Sequence, residues 1–148
     1  MNSVSKAQNY SFAKFDLSSW PLVIVTCNKL NNNDEFDFLL ERLENLGKAK
    51  QNYSIILDAR NASNIGISNA YSAIGFLKRI KDVSHEYLQN TLLIYNNSYL
   101  YYLLNIVLAI QKPSCRFYTY KPNNNYEINY KELFDLKDSN PKKFVLYK

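Results

Sequence analysis

Glycine, histidine and cysteine are scarce in this chain, and each shortage removes a class of chemistry. Three glycines among 148 residues leave no glycine-rich loop to cradle a phosphate, and no Gly-x-Ser-x-Gly elbow is present to expose a serine nucleophile. The one histidine, His85, lies in the polar stretch Asp82–Glu86 and reads as an exposed residue at a helix end, where the negative pole of the helix favours it. A multi-histidine metal site is thereby excluded, and no cluster of Cys and His stands at ligand spacing. No catalytic residue, metal ligand or cofactor is expected. The two cysteines, Cys27 and Cys115, sit inside apolar segments. Met1–Asn9 is polar and carries no signal-peptide pattern, so the chain is expected in a reducing, cytoplasmic setting. No apolar run reaches the ~18 residues that a membrane-spanning helix requires.

What is present describes a globular domain. With 47% hydrophobic and 21% charged residues, a packed core is expected, and the length fits one domain. The formal charge of +5 is dispersed. Its densest groups are Lys78-Arg79-Lys81 on one expected helix and Lys142-Lys143-Lys148 near the end. Without clustering or a nucleic-acid motif, these read as solvated faces, and a nucleic-acid partner is not expected. Four Asn-x-Ser triplets, beginning at Asn9, Asn52, Asn61 and Asn96, are coincidences of an asparagine-rich chain, several of them abutting expected core strands.

Periodicity separates strands from helices. Tyr10–Asp16 and Pro21–Asn28 read as a hairpin around a turn at Leu17–Trp20. After Asn31–Asn33, which can cap a helix, Phe36, Leu39, Leu40, Leu43 and Leu46 share one helical face until Gly47 stops it. Tyr53–Ala59, with Ile55-Ile56-Leu57, is a buried strand of the parallel type. A loop over Arg60–Ile67 follows, then a helix from Asn69 to about Ser84 patterned by Ala70, Ala73, Ile74, Leu77 and Ile80, with Ser68 or Asn69 as its N-cap. Thr91–Asn96 is a short strand. Ser98 is expected to cap a helix over Tyr99–Gln111, ended by Pro113, and Cys115–Lys121 is the last core strand. The tail has a short helix near Tyr130–Leu136 and a possible strand at Phe144–Tyr147. The expected fold is α/β: a mixed, mostly parallel sheet with an N-terminal β-hairpin and three crossover helices. Residues 1–9 are expected to be flexible, 10–121 to form the domain, and 122–148 to pack on it as an extension.

This order of elements, together with Ile56-Leu57-Asp58 ending a buried strand and Ile67-Ser68-Asn69 opening the next helix, resembles the STAS fold. That family comprises anti-sigma-factor antagonists and regulatory domains of sulfate transporters, and the wider group includes lipid-holding proteins of the Sec14 type. The likeness spans roughly residues 11–121. Gly66, Ile67 and Asn69 stand where the family's loop pattern has Asp, Ser and Gly. The resemblance implies a non-enzymatic regulatory module that acts through protein contacts, as a homodimer or with another protein. The alternative it implies is a carrier with an apolar ligand or lipid pocket.

Three sets of candidate residues follow. Ser68 is a helix N-cap or a phosphoacceptor, since phosphate at a helix start meets free N–H groups and the positive pole of the dipole. Asp58, at the carboxyl end of a parallel strand, is placed where α/β sheets bind ligands, and is expected to accept hydrogen bonds from the Asn61–Asn64 loop. On the third helix, Tyr99, Tyr102 and Ile106 form a second apolar stripe beside the one that faces the sheet. A helix covering a sheet needs only one stripe. The second must meet the tail through Leu133, Phe134 and Phe144, a second subunit, or an apolar ligand.

Overall fold

Burial alternates along the strands, and the alternation shows which face each side chain takes. The computed structural model describes residues 11–83, 86–123 and 127–147. In chain order the elements are β1 (Ala13–Asp16), β2 (Leu22–Cys27), α1 (Asn33–Leu46), β3 (Tyr53–Asp58), α2 (Ile67–Val83), β4 (Leu88–Ile94), α3 (Ser98–Ile110), β5 (Arg116–Tyr120), α4 (Tyr130–Asp135) and β6 (Phe144–Tyr147). They build one six-stranded sheet whose strand order is the order of the chain. Strands β2 to β5 are parallel, and antiparallel β1 and β6 close the two edges. The α/β class, the N-terminal hairpin and the three crossover helices are as expected from the sequence. Strand β4 starts at Leu88, three residues before the expected Thr91, and the tail contributes the sixth strand. His85, Ser84, Lys148 and residues 1–10 lie outside the described residues.

A sheet that grows in one direction through crossovers of one hand puts every helix on the same face. Val23, Val25, Ile55, Leu93 and Phe117 accordingly share one core with Phe36 and Leu40 of α1, Phe76 and Ile80 of α2, and Leu108 of α3. The intervening residues Ile56, Leu92, Ile94, Tyr118 and Tyr120 point to the opposite face. There they meet the tail through Ile128, Leu133 and Phe144. Among the described residues no helix is long and apolar enough to cross a membrane.

Local chemistry sets the helix ends. Asn32 caps α1, its side chain accepting from the Glu35 N–H at 3.1 Å. The cap of α3 is Asn97, which accepts from the Tyr99 N–H at 2.8 Å, so Ser98 is the first helical residue and not the cap expected of it. Asparagine reaches the same donor from one position earlier. Gly47 closes α1 in a right-handed conformation, and the left-handed residue is Lys50 (φ 54°), after a single 3₁₀ turn.

Glu35 is a buried carboxylate in the first turn of α1. Its Oε2 accepts the N–H groups of Ser11 (3.1 Å) and Phe12 (3.2 Å), and its Oε1 accepts that of Asn31 (2.8 Å). Three backbone donors from two segments are thus satisfied by one side chain, which pins the approach to β1 against α1. Glu35→Gln presents an NH₂ group to one of these donor sets, and unpaired buried donors cost about 1–3 kcal/mol. A loss of that size is expected in urea unfolding with unchanged slope; unchanged stability would show that these bonds do not secure the N-terminal strand.

Candidate functional site

The carboxyl end of β3 carries a buried polar cluster. Asp58 accepts from the Arg60 backbone N–H (3.2 Å), Arg60 Nε (2.9 Å) and an Arg60 terminal nitrogen (2.7 Å), and its Oδ2 also accepts the Tyr130 hydroxyl at 2.5 Å. Burial pushes the Asp58 carboxyl up, but the hydrogen bonds from Arg60 and Tyr130 outweigh it and hold the group below its ordinary value. Burial, reinforced by the Asp58 carboxylate, pushes Tyr130 up to about 12. Asp58 thus has its lone pairs committed to Arg60 and the tail. The expected partners are a correction. Asn61 is exposed, and Asn64, in a left-handed conformation (φ 65°), donates its amide to the Leu30 carbonyl at 3.3 Å. The loop turns away from Asp58 because its backbone pairs with the segment after β2, where the Leu30 N–H donates to the Ser63 carbonyl at 3.0 Å.

A second phenol–carboxylate bond mirrors the first. The sheet residue Tyr118 donates to Asp138 of the tail at 2.5 Å, whereas the tail residue Tyr130 donates to Asp58 of the sheet. Burial first, then the Asp138 carboxylate, pushes Tyr118 up to about 12. Leu133 lies between the tail residues of these two bonds, and Phe144, further along the tail, stacks on Tyr120 at 4.7 Å. Leu133, Phe134 and Phe144 are therefore committed to the face opposite the helices and do not cover the second stripe of α3. Among the described residues the tail reaches the helical side at the end of β6, where the Tyr147 hydroxyl lies 2.9 Å from the Tyr101 hydroxyl and donates to Asn105 Oδ1 of α3 at 3.1 Å.

The start of α2 corrects the reading of Ser68. The Gly66 carbonyl accepts the first helical N–H groups, from Asn69 (3.1 Å) and Ala70 (3.2 Å). Asn69 reaches back to accept the Gly66 N–H at 2.9 Å and donates to Asn33 of α1 at 3.1 Å. Ser68 is exposed inside the first turn, and among the described residues its hydroxyl makes no capping bond. The side chain at the third helical position does the work, in the manner of a capping box.

The outer face of the helical layer carries large apolar side chains. Ile67 (51% exposed) and Tyr71 (67%) of α2, and Tyr99 (50%), Tyr102 (59%) and Ile110 (57%) of α3, all face solvent. Ile106 is half-buried. Ala70 and Ile74 pack against Leu103 and Val107 where the two helices meet. The helical spacing sets Ile67 and Tyr71 beside each other and Tyr71 beside Ile74, and it sets Tyr99 beside Tyr102 and Leu103 and Ile110 beside Val107. The exposed residues therefore lie on the outer sides of α2 and α3, next to residues that join the two helices.

The remaining features are poor in chemistry. A broad open concavity of about 680 Å³ lies at the other end of the sheet, between Glu86, Gln89, Cys115 and Arg116. Burial raises the pKa of the Cys115 thiol, which sits 3.3 Å from Thr91 Oγ1. Cys27 is buried and pushed up to about 12 by burial, then by the charge of Asp58. Both thiols are therefore neutral and weakly nucleophilic. Among the described residues no group of His, Cys, Asp and Glu could hold a metal ion. The strand order never reverses, so the crevice that binds ligands in doubly wound sheets is not generated. Comparison with models of known protein families and with characterised proteins finds no match for this chain.

Arg60 and Tyr130 are the site residues that sequence reasoning did not find. Arg60, two positions after a strand-ending aspartate, had a local signal. Tyr130, 72 positions from its partner, had none. Two expectations follow from the geometry. Asn69→Ala should cost about 0.5–2 kcal/mol and Ser68→Ala less than about 0.5 kcal/mol, measured by chemical unfolding; the reverse ranking would restore Ser68 as the cap. Tyr130→Phe should lose about 1.5–3 kcal/mol near neutral pH and raise the Asp58 pKa in a carboxyl NMR titration. The wild-type link is also pH-limited on both sides. The contribution of Asp58 is complete above its ordinary value of 3.8 and is lost as pH falls through the lower folded value. The contributions of Tyr118 and Tyr130 are complete below pH 10.0 and are lost as pH rises through about 12. Phenolate absorbance should show Tyr130 as one of the late-titrating tyrosines, and its absence from that late group would discount the link.

Proposed function

We propose that this chain is a cytoplasmic, non-enzymatic module of the STAS-like kind that acts through protein–protein contacts, self-association foremost, using the outer surface of α2 and α3. The observation that carries this reading is the set of five large apolar residues exposed on the outer sides of those two helices. A monomeric protein seldom leaves a contiguous apolar surface of that kind without a partner, and tyrosine is enriched at such contacts. The hairpin followed by three strand–helix crossovers supports the STAS-like assignment. The engagement of Asp58 by Arg60 and Tyr130 and the upward-shifted pKa of both thiols support the non-enzymatic reading.

The lipid-carrier alternative has less support. The apolar cavity between the helices and the sheet measures about 170 Å³, below the ~300–1,000 Å³ usual for pockets that enclose larger ligands.

Sedimentation of the wild-type chain and of Tyr102→Glu and Ile110→Glu tests the proposal. Both positions are exposed in the isolated chain, so the folded monomer should tolerate either change within about 0.5 kcal/mol. A wild-type dimer that these variants convert to monomer is the expected result, because a buried unpaired carboxylate costs several kcal/mol. A chain that sediments as a monomer at all concentrations, with both variants unchanged, would refute self-association through this surface.

A further inference from the structure

The 170 Å³ cavity lies between the sheet and all three crossover helices. Leu57 and Leu93 line it from the sheet, Leu40 from α1, Phe76 from α2 and Leu104 from α3. The cavity is partly open, and its walls are core residues; protein interiors hold few voids larger than a water molecule, so a space of this size beside the main core requires a cause. The cause is in the lining: Ala59, Ala62, Ala70 and Ala73 all border the cavity. Four of the smallest side chains converge where larger ones would close it.

Water is a poor occupant. A buried water needs two to four polar partners, and the lining supplies only two side chains with a polar or sulfur atom, Asn69 and Cys27. Both groups of the Asn69 amide are already engaged, the oxygen by the Gly66 N–H and the nitrogen by Asn33. The Cys27 thiol is buried and uncharged, a weak donor only. Cavities of about 150 Å³ with leucine, isoleucine and phenylalanine walls stay dry and take benzene or xenon. We infer that this cavity is a binding site for one small apolar molecule, of the size of a single aromatic ring or a short hydrocarbon, held by dispersion and burial without directed hydrogen bonds. The assignment is independent of the contact surface on α2 and α3, which lies on the outside of the same helices.

Benzene titrated into the full chain, followed by methyl NMR, tests this directly. Saturable one-to-one binding is expected, with shifts at the methyls of Leu40, Leu57, Leu93 and Leu104 and none at Ile56, Leu92 or Ile94 on the opposite face of the sheet. Thermal unfolding should move to higher temperature with added benzene, because a ligand that binds only the folded state stabilises it. Ala73→Leu, which fills the space, should weaken binding by roughly tenfold or more. Laurate, too long for the cavity, should leave the same methyls unmoved. The inference is overturned if benzene gives no saturable shifts, if both faces of the sheet respond alike, if folded Ala73→Leu binds as tightly as wild type, or if laurate occupies the site. Should Ala73→Leu fail to fold, the methyl map of the unaltered chain decides the matter alone.

Discussion

The strand order is the constraint on which the other features of this molecule depend. Because β2 to β5 follow one another in parallel without reversal, their three crossover helices crowd onto one face of the sheet. The other face is left with Ile56, Leu92, Ile94, Tyr118 and Tyr120 to bury. A sheet with apolar residues on both faces needs cover on both, and no crossover is left to supply it. The tail meets that need. It doubles back with α4 lying on the uncovered face and adds β6 antiparallel to β5.

Two consequences for function follow from this asymmetry. At the carboxyl end of the sheet, where a reversing strand order would open a crevice, Asp58 is instead occupied in joining β3 to the tail through Tyr130. Asp58, Arg60 and Tyr130 thus link the sheet to the tail. On the helical side, the layer is one helix thick. Its inner surface is thinned by alanines and its outer surface carries exposed tyrosines and isoleucines. The outer surface of α2 and α3 thus carries one functional reading, and the cavity beneath all three crossover helices carries the other.

The fold was largely legible because its signals are local. The run Leu22-Val23-Ile24-Val25, the spacing of Phe36, Leu39, Leu40 and Leu43, and the short Ile55-Ile56-Leu57 segment each announce an element within a few residues. Strand β4 was read short because Gln89 and Asn90 at its start are polar and do not look like core. The helix caps were displaced by one residue at Ser98 because asparagine and serine compete for the same donors and periodicity does not separate them. At α2 Ser68 and Asn69 adjoin, and the pattern does not show that Asn69 acts from within the first turn while Ser68 makes no cap. The site was much less legible. The Asp58–Tyr130 bond joins residues far apart in the chain. The face chosen by Leu133 and Phe144 depends on which side of the sheet is vacant, a property of the whole strand order and of no single segment.

The position of the cover after the crossover units also bears on biosynthesis. Translation proceeds from the N-terminus, so strands β1 to β5 and all three crossover helices emerge before α4 and β6 do. During that interval the helical side can already be packed while the opposite side, with two tyrosines and three branched aliphatic residues, faces water. Exposed apolar sheet of this kind is what aggregation and chaperones act upon in nascent chains. The growing polypeptide thus passes through a half-clad stage whose length is set by the time needed to synthesise the segment from Lys121 to Tyr147.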